Sequence, residues 1–151
     1  MKWLWLITVL IAVTAAASLE HQTSIQANPP RTIIVQVLNG KTGKPIKGEA
    51  PNIWIGNVKD PVNPRTDSKG EIALEIGQAQ PAEIRVMGNY YMDCRRRENQ
   101  ELMMNVRYSL TEIIAKGVVS ENGCGQSRTN PIPGKLILYM RPMTFKEKWD
   151  S

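Results

Sequence analysis

One histidine, His21, serves the whole chain, and aromatic residues make up only 6% of it. His21 lies in the stretch Ser18 to Arg31, which has no apolar period and closes on a proline pair. That stretch is expected to be a flexible lead-in, so a folded site would hold no imidazole. This excludes Ser-His-Asp and Cys-His nucleophilic centres and histidine-based zinc or iron sites. The basic residues form no stripe with interleaved aromatics, so nucleic acid is not an expected partner. Calcium would rest on Asp60 and Asp67, which have no loop signature. No internal repeat, low-complexity tract, phosphate-cradling loop or metal-ligand spacing is present. No metal and no cofactor is expected.

What is present begins with the leader. Met1-Lys2 supplies a positive start, Trp3 to Val13 is apolar apart from Thr8, and Thr14-Ala15-Ala16-Ala17-Ser18 offers small residues to a peptidase. This three-part pattern is that of a secretory signal peptide, with cleavage expected after Ala17. The apolar run is short for a bilayer span, which takes about 20 residues. No cysteine follows it, so a lipoprotein signal is not supported. The expected location is secreted or periplasmic, with no stable membrane span after leader removal. Lys plus Arg number 19 against 14 Asp plus Glu; the leader takes away only Lys2, which leaves 18 against 14. A mild positive charge favours solubility and anionic surfaces.

Both cysteines, Cys94 and Cys124, fall in the mature part. In an oxidising compartment the simplest state of an even pair is a disulfide, with two free thiols as the alternative.

The remaining chain has the length of one domain, with the folded part expected over residues 32–145 and a short tail over 146–151. Thr32 to Leu38 is rich in β-branched residues and reads as a first strand. Asn52 to Val58 alternates and reads as a second, with Ile53 and Ile55 on one face and Trp54 on the other. Glu71 to Ile76 alternates strictly, which points Ile72, Leu74 and Ile76 inward. Ala82 to Met87 does the same with Ile84 and Val86. A strand is expected on each side of the polar stretch Arg95 to Gln100. Ser109 to Gly117 is the one clear helix, about residues 110–116, with Ser109 and Glu112 placed for a capping box and Tyr108 and Ile113 for a hydrophobic staple. Gly117 is placed to end it. Lys135 to Arg141 is a strong last strand. Short strands between regular turns predict an all-β sandwich.

The turns carry a family resemblance. Val35-x-Val37, then Thr42-Gly43-Lys44-Pro45, an apolar strand, and Thr66-Asp67-Ser68-Lys69-Gly70 before an alternating strand together resemble the carboxypeptidase regulatory-like domains. The match covers Thr32 to roughly Gly88. The resemblance implies a seven-stranded, immunoglobulin-like or transthyretin-like β-sandwich. The second half departs from that pattern by adding the cysteine pair, the capped helix and a late strand. That half looks like an arrangement in short bacterial secreted proteins, and no activity comes with it. Two enzyme classes on related sandwiches do not fit. Hydroxyisourate hydrolases need histidines and a Tyr-Arg-Gly-Ser end, whereas this chain ends Lys148-Trp149-Asp150-Ser151. Intradiol dioxygenases bind iron through two Tyr and two His. An isopeptide crosslink, known in adhesin-type relatives, lacks its lysine in the first strand and its Asn or Asp in the last.

No residue is expected to be catalytic. Asp67, Glu71 and Glu75 are neighbours in sequence, but the two glutamates alternate outward and Asp67 suits a bond to its own turn backbone. A candidate binding surface comprises Trp54, Tyr90, Tyr91, Arg95, Arg96 and Arg97. Exposed aromatics stack on sugars or anchor a protein, and the arginines suit an anionic envelope polymer. A plainer arrangement fits as well: Trp54 under the helix, Tyr90 plugging the sandwich end, and the arginines in a solvated loop. The leading expectation is a secreted or periplasmic, non-catalytic binding or structural module. Its partner would be a cell-envelope protein or polysaccharide. An accessory or sensor subunit docking in trans to an envelope complex is the alternative, and a carboxylate-only hydrolase the least favoured.

Overall fold

Alternation and β-branched content set the strands where the turns allow. The structure is a computed structural model and describes residues 31–77, 83–95 and 106–149. The expected leader, the lead-in before Arg31, and Arg96 and Arg97 lie outside the described residues. Strand β1 spans Arg31–Asn39, β2 Asn52–Ile55, β3 Glu71–Ile76, β4 Glu83–Met87, β5 Tyr91–Asp93 and β6 Arg107–Ser109. Helix α1 follows at Leu110–Lys116, then β7 at Val118–Val119, β8 at Lys135–Pro142 and helix α2 at Phe145–Trp149.

The strands form two sheets that enclose one main core, as an all-β sandwich does. The larger sheet runs β3-β1-β8-β5, with β7 also paired to β8; the smaller runs β2-β4-β6. β1 pairs antiparallel with β3 and parallel with β8, Val35 opposite Ile72 on one side and Leu136 on the other. Ile33, Val35, Val37, Ile72, Leu74, Ile76, Leu136 and Leu138 face Ile53, Ile84, Val86 and Tyr108 across the core. Ile55 is only half-buried and packs at the margin. Eight strands occur among the described residues, and the two-residue β7 occupies the β8 edge that the three residues of β5 leave free. The second strand stops at Ile55 rather than Val58 because Gly56 turns the chain at φ 71°.

Helix α1 forms as its ends foretell. Ser109 Oγ accepts from the Glu112 amide at 3.3 Å, and Leu110 and Ile113 are buried in the core. Gly117 ends it at φ 77°, where a Cβ would stand 2.1 Å from the Ile132 carbonyl oxygen.

β8 is buried on both faces. Leu136, Leu138 and Met140 join the main core, while Ile137 and Tyr139 form a second cluster with Leu38 and Cys94 on the outer side of the larger sheet. Val119 and Cys124 pack against that cluster, so the segment after α1 overlies the sheet there as an added layer. This double burial is what a strand flanked by parallel partners requires.

Candidate functional site

The outer layer is fastened by a few specific contacts. Cys94 follows β5 and Cys124 lies in the loop after β7; they form a disulfide with their Cα atoms 5.1 Å apart. The Cys94 amide donates to the Tyr139 carbonyl at 2.9 Å, continuing the β5–β8 ladder. Asn122 is buried and bonds three ways: its Nδ2 donates to the carbonyls of Gly40 at 2.8 Å and Ser127 at 2.9 Å, and its Oδ1 accepts from the Cys124 amide at 3.1 Å. Ser120 Oγ accepts from the Tyr139 amide at 3.1 Å.

Beside this disulfide opens a groove of about 760 Å³, walled by Asn39, Lys41 and Thr42 around the β1 turn, Asp93 and Arg95 around β5, Arg141 near the end of β8 and Thr144 just beyond it. Cys94 and Cys124 both line it. The β1 turn is rigid: Asn39 Oδ1 accepts from the amides of Lys41 and Thr42 at 3.0 and 3.2 Å, and Gly43 takes φ 70°. Arg95 forms an ion pair with Asp93, and its guanidinium lies 5.8 Å from the Tyr108 ring centroid. Burial works against the Arg95 charge, but its bond to Asp93 and the neighbouring Tyr108 outweigh it and hold its pKa above the ordinary value. Burial pushes the Tyr108 hydroxyl up to about 12. Arg141 makes a two-pronged pair with Glu147, at 2.8 and 2.7 Å. That pairing raises Arg141 and pulls the Glu147 carboxyl well below the usual carboxylate range, helped by Thr144. Among the described residues Lys41 has no ion pair.

The residues expected to form a binding surface lie apart. Trp54 faces away from the core on the smaller sheet, directly opposite Arg85. The Arg85 guanidinium lies over the Trp54 ring, 5.0 Å from its centroid, and Trp54 Nε1 donates to the Lys59 carbonyl at 3.3 Å. Arg85, rather than helix α1, is its covering partner. Tyr90 is exposed at the β4–β5 turn, whereas Tyr91 packs against the core margin. Arg95 turns towards Tyr108, between the sheets. Tyr91 thus lies in β5 with Tyr90 just before it and Arg95 just after it, at the edge of the larger sheet, and Trp54 lies on the smaller sheet.

Three features went unseen in the sequence. Glu49 is fully buried, and its Oε1 accepts from the Asn89 and Tyr90 amides at 2.7 and 3.1 Å, tying the β1–β2 connection to the β4–β5 turn. Nothing local in Gly48-Glu49-Ala50-Pro51 signals this, since its partners are 40 residues on. The Arg141–Glu147 pair is likewise silent. The capping signature Thr144-Phe145-Lys146-Glu147 was there to be read, and it sits where a tail was expected. The carboxylates behave as their positions suggest. Asp67 Oδ1 accepts from the Lys69 and Glu71 amides, both at 2.8 Å, which lowers its pKa. Glu71 pairs with Lys135 at 2.6 Å. No group of three or more His, Cys, Asp or Glu placed to hold a metal occurs among the described residues.

No protein-family model matches this chain, and no curated protein matches its sequence.

Proposed function

We propose that this chain is a non-catalytic binding module of the carboxypeptidase regulatory-like, transthyretin-like kind, working outside the cytoplasm. Its working surface is the groove beside Cys94–Cys124, and its ligand an anionic chain such as an acidic envelope polysaccharide. One observation carries this reading: Lys41, Arg95 and Arg141, brought from three separate parts of the chain, line one open concavity. Asp93 and Glu147 fix the directions of the two arginines, and Lys41 supplies the uncommitted charge. Asn39, Thr42 and Thr144 add polar groups that suit hydroxyls.

The compartment is supported by the disulfide and by the leader pattern. The family type is supported by the two motif turns, which pack together. Gly70 accepts through its carbonyl from the Val37 amide at 2.8 Å, and a Cβ on Gly70 would stand 3.3 Å from Pro45 Cβ. On this reading the seven family strands are β1 to β6 and β8, with β7 an addition of the second half.

The test is affinity electrophoresis of the exported protein through gels containing polygalacturonate or neutral dextran. Retardation by the acidic polymer alone is expected, weakened about tenfold by Lys41→Glu, which reverses one charge in the groove. Trp54→Ala should leave it unchanged. If Trp54→Ala weakens binding and Lys41→Glu does not, the groove is not the working surface. Turnover of a substrate that a single carboxylate substitution abolishes would overturn the non-catalytic reading altogether.

A further inference from the structure

Helix α2 is a single turn that displays its aromatic side chains rather than burying them. Phe145 and Trp149 are 77% and 75% exposed, the highest values among the large hydrophobic residues described. Their rings meet edge to face with centroids 5.8 Å apart. A turn this short is unstable alone, yet it is held from three directions. Thr144 Oγ1 accepts from the Glu147 amide at 3.4 Å, and Glu147 Oε2 accepts from the Thr144 amide at 2.8 Å, a reciprocal cap. Glu147 also takes both prongs of Arg141, which belongs to β8. The turn is therefore fastened to the sandwich through its one carboxylate, and the aromatic pair is held out on a rigid mount.

The charges complete the pattern. At about 100° per residue, Phe145 and Trp149 fall about 40° apart, Lys146 about 80° to one side of their midpoint and Lys148 about 80° to the other. Glu147 falls opposite the aromatics, towards Arg141. The result is a convex aromatic ridge with a lysine on each shoulder and its negative charge turned into the protein. We propose that this turn seats the protein on an anionic phospholipid surface. The aromatic rings enter the boundary between headgroups and acyl chains, as amphipathic aromatics do at membrane interfaces. The lysine stems run alongside and deliver their ammonium groups to the phosphates. A ridge flanked by cations at its own level suits a flat anionic layer; a protein pocket deep enough for both rings would have to desolvate those lysines. The seat proposed is a peripheral one, made by a single exposed turn; no helix among the described residues is long and apolar enough to cross a membrane. It is independent of the groove reading, because Phe145, Lys146 and Trp149 lie outside the groove walls.

The experiment is co-sedimentation of the full chain, recovered from the extracytoplasmic fraction of cells expressing it, with vesicles of phosphatidylcholine alone or with one-third phosphatidylglycerol. The parent should bind the anionic vesicles and lose that binding at high salt. The double variant Phe145→Ser/Trp149→Ser should bind about tenfold more weakly, and Lys146→Glu should weaken anionic binding with little effect on the neutral baseline. Unchanged thermal unfolding would show that each variant is folded, as expected for exposed side chains. Equal binding by the double variant, or equal binding of the parent to neutral and anionic vesicles, overturns the proposal. So does a parent that ignores vesicles while a photo-crosslinker at Phe145 traps a protein, which would assign the ridge to a protein partner.

Discussion

Gly40 lies against Cys94 with no room for a side chain between them. A Cβ on Gly40 would stand 2.7 Å from Cys94 Sγ and 2.6 Å from Asn122 Oδ1. Gly40→Ala should therefore push the outer layer off the sheet, at a cost of about 1–3 kcal/mol, as overpacking does. Gly77→Ala is the control, because nothing stands within 4 Å of a Cβ there. Urea unfolding of both variants checks this. Equal midpoints would mean that the disulfide layer shifts freely to make room.

Replacing both Cys94 and Cys124 by serine should lower stability by about 3–4 kcal/mol through the unfolded chain, for a closed loop of this length. The sequence separation is 30 residues. Beyond the overall loss, the amides of Ile137 and Tyr139 should exchange faster relative to those of Ile72 and Leu74, because the layer over the second cluster is released. Hydrogen exchange by mass spectrometry separates the two effects. A uniform increase across both strands would show that the layer and the main core open as one unit.

Leu74 is buried in the main core while its neighbour Ala73 points to solvent. Leu74→Ala should cost about 2–5 kcal/mol, and Ala73→Ser should stay within about 0.5 kcal/mol. Chemical denaturation measures both. A reversed order would place the opposite face of β3 in the core.

The mount of helix α2 should depend on pH. Glu147 has its folded pKa below the ordinary glutamate value, chiefly through Arg141. A depressed carboxyl pKa contributes stability that is fully present above the unfolded value of about 4.3 and is lost as pH falls through the folded one. The Trp149 indole resonance should accordingly hold its position from neutral pH down to about pH 4 and move towards an unfolded shift below that. In Glu147→Gln it should sit nearer the unfolded position at every pH. A parent titration that moves Trp149 near pH 6 would point to a different group.

Much of the fold could be read locally, and what could not shares one physical cause. The alternation of Glu71 to Ile76 and of Glu83 to Met87 is each strand's own property, and its buried set emerges as expected. The caps of α1 are also local: Ser109, Glu112 and Gly117 lie within one helix length. Trp54 alternates outward as its neighbours require, but its cover, Arg85, comes from the strand beside it. Double burial of β8 depends on a polar, irregular segment held down by Asn122, Ser120 and a disulfide. Such a layer has no period, so no pattern announces it. The groove is harder still, because its walls meet only after β1, β5 and β8 have paired. Glu49 shows the limit most plainly, as its Oε1 accepts from amides on a turn that comes three strands later.

The placing of β8 next to β1 has a consequence for how the chain is made. The larger sheet has near its centre β8, the strand that leaves the ribosome last among those described, while its neighbour β1 and the β3 beyond it arrive early. Until Lys135 to Met140 emerges, β1 can pair only with β3, and the apolar faces of both lack the Leu136, Leu138 and Met140 that complete the core. A two-stranded pair is marginal in water at best. The larger sheet is thus completed only when nearly all of the described chain has been synthesised, an order of events that would suit the exported protein proposed above. The parallel pairing of β1 with β8 ties completion of the larger sheet to the last strand described.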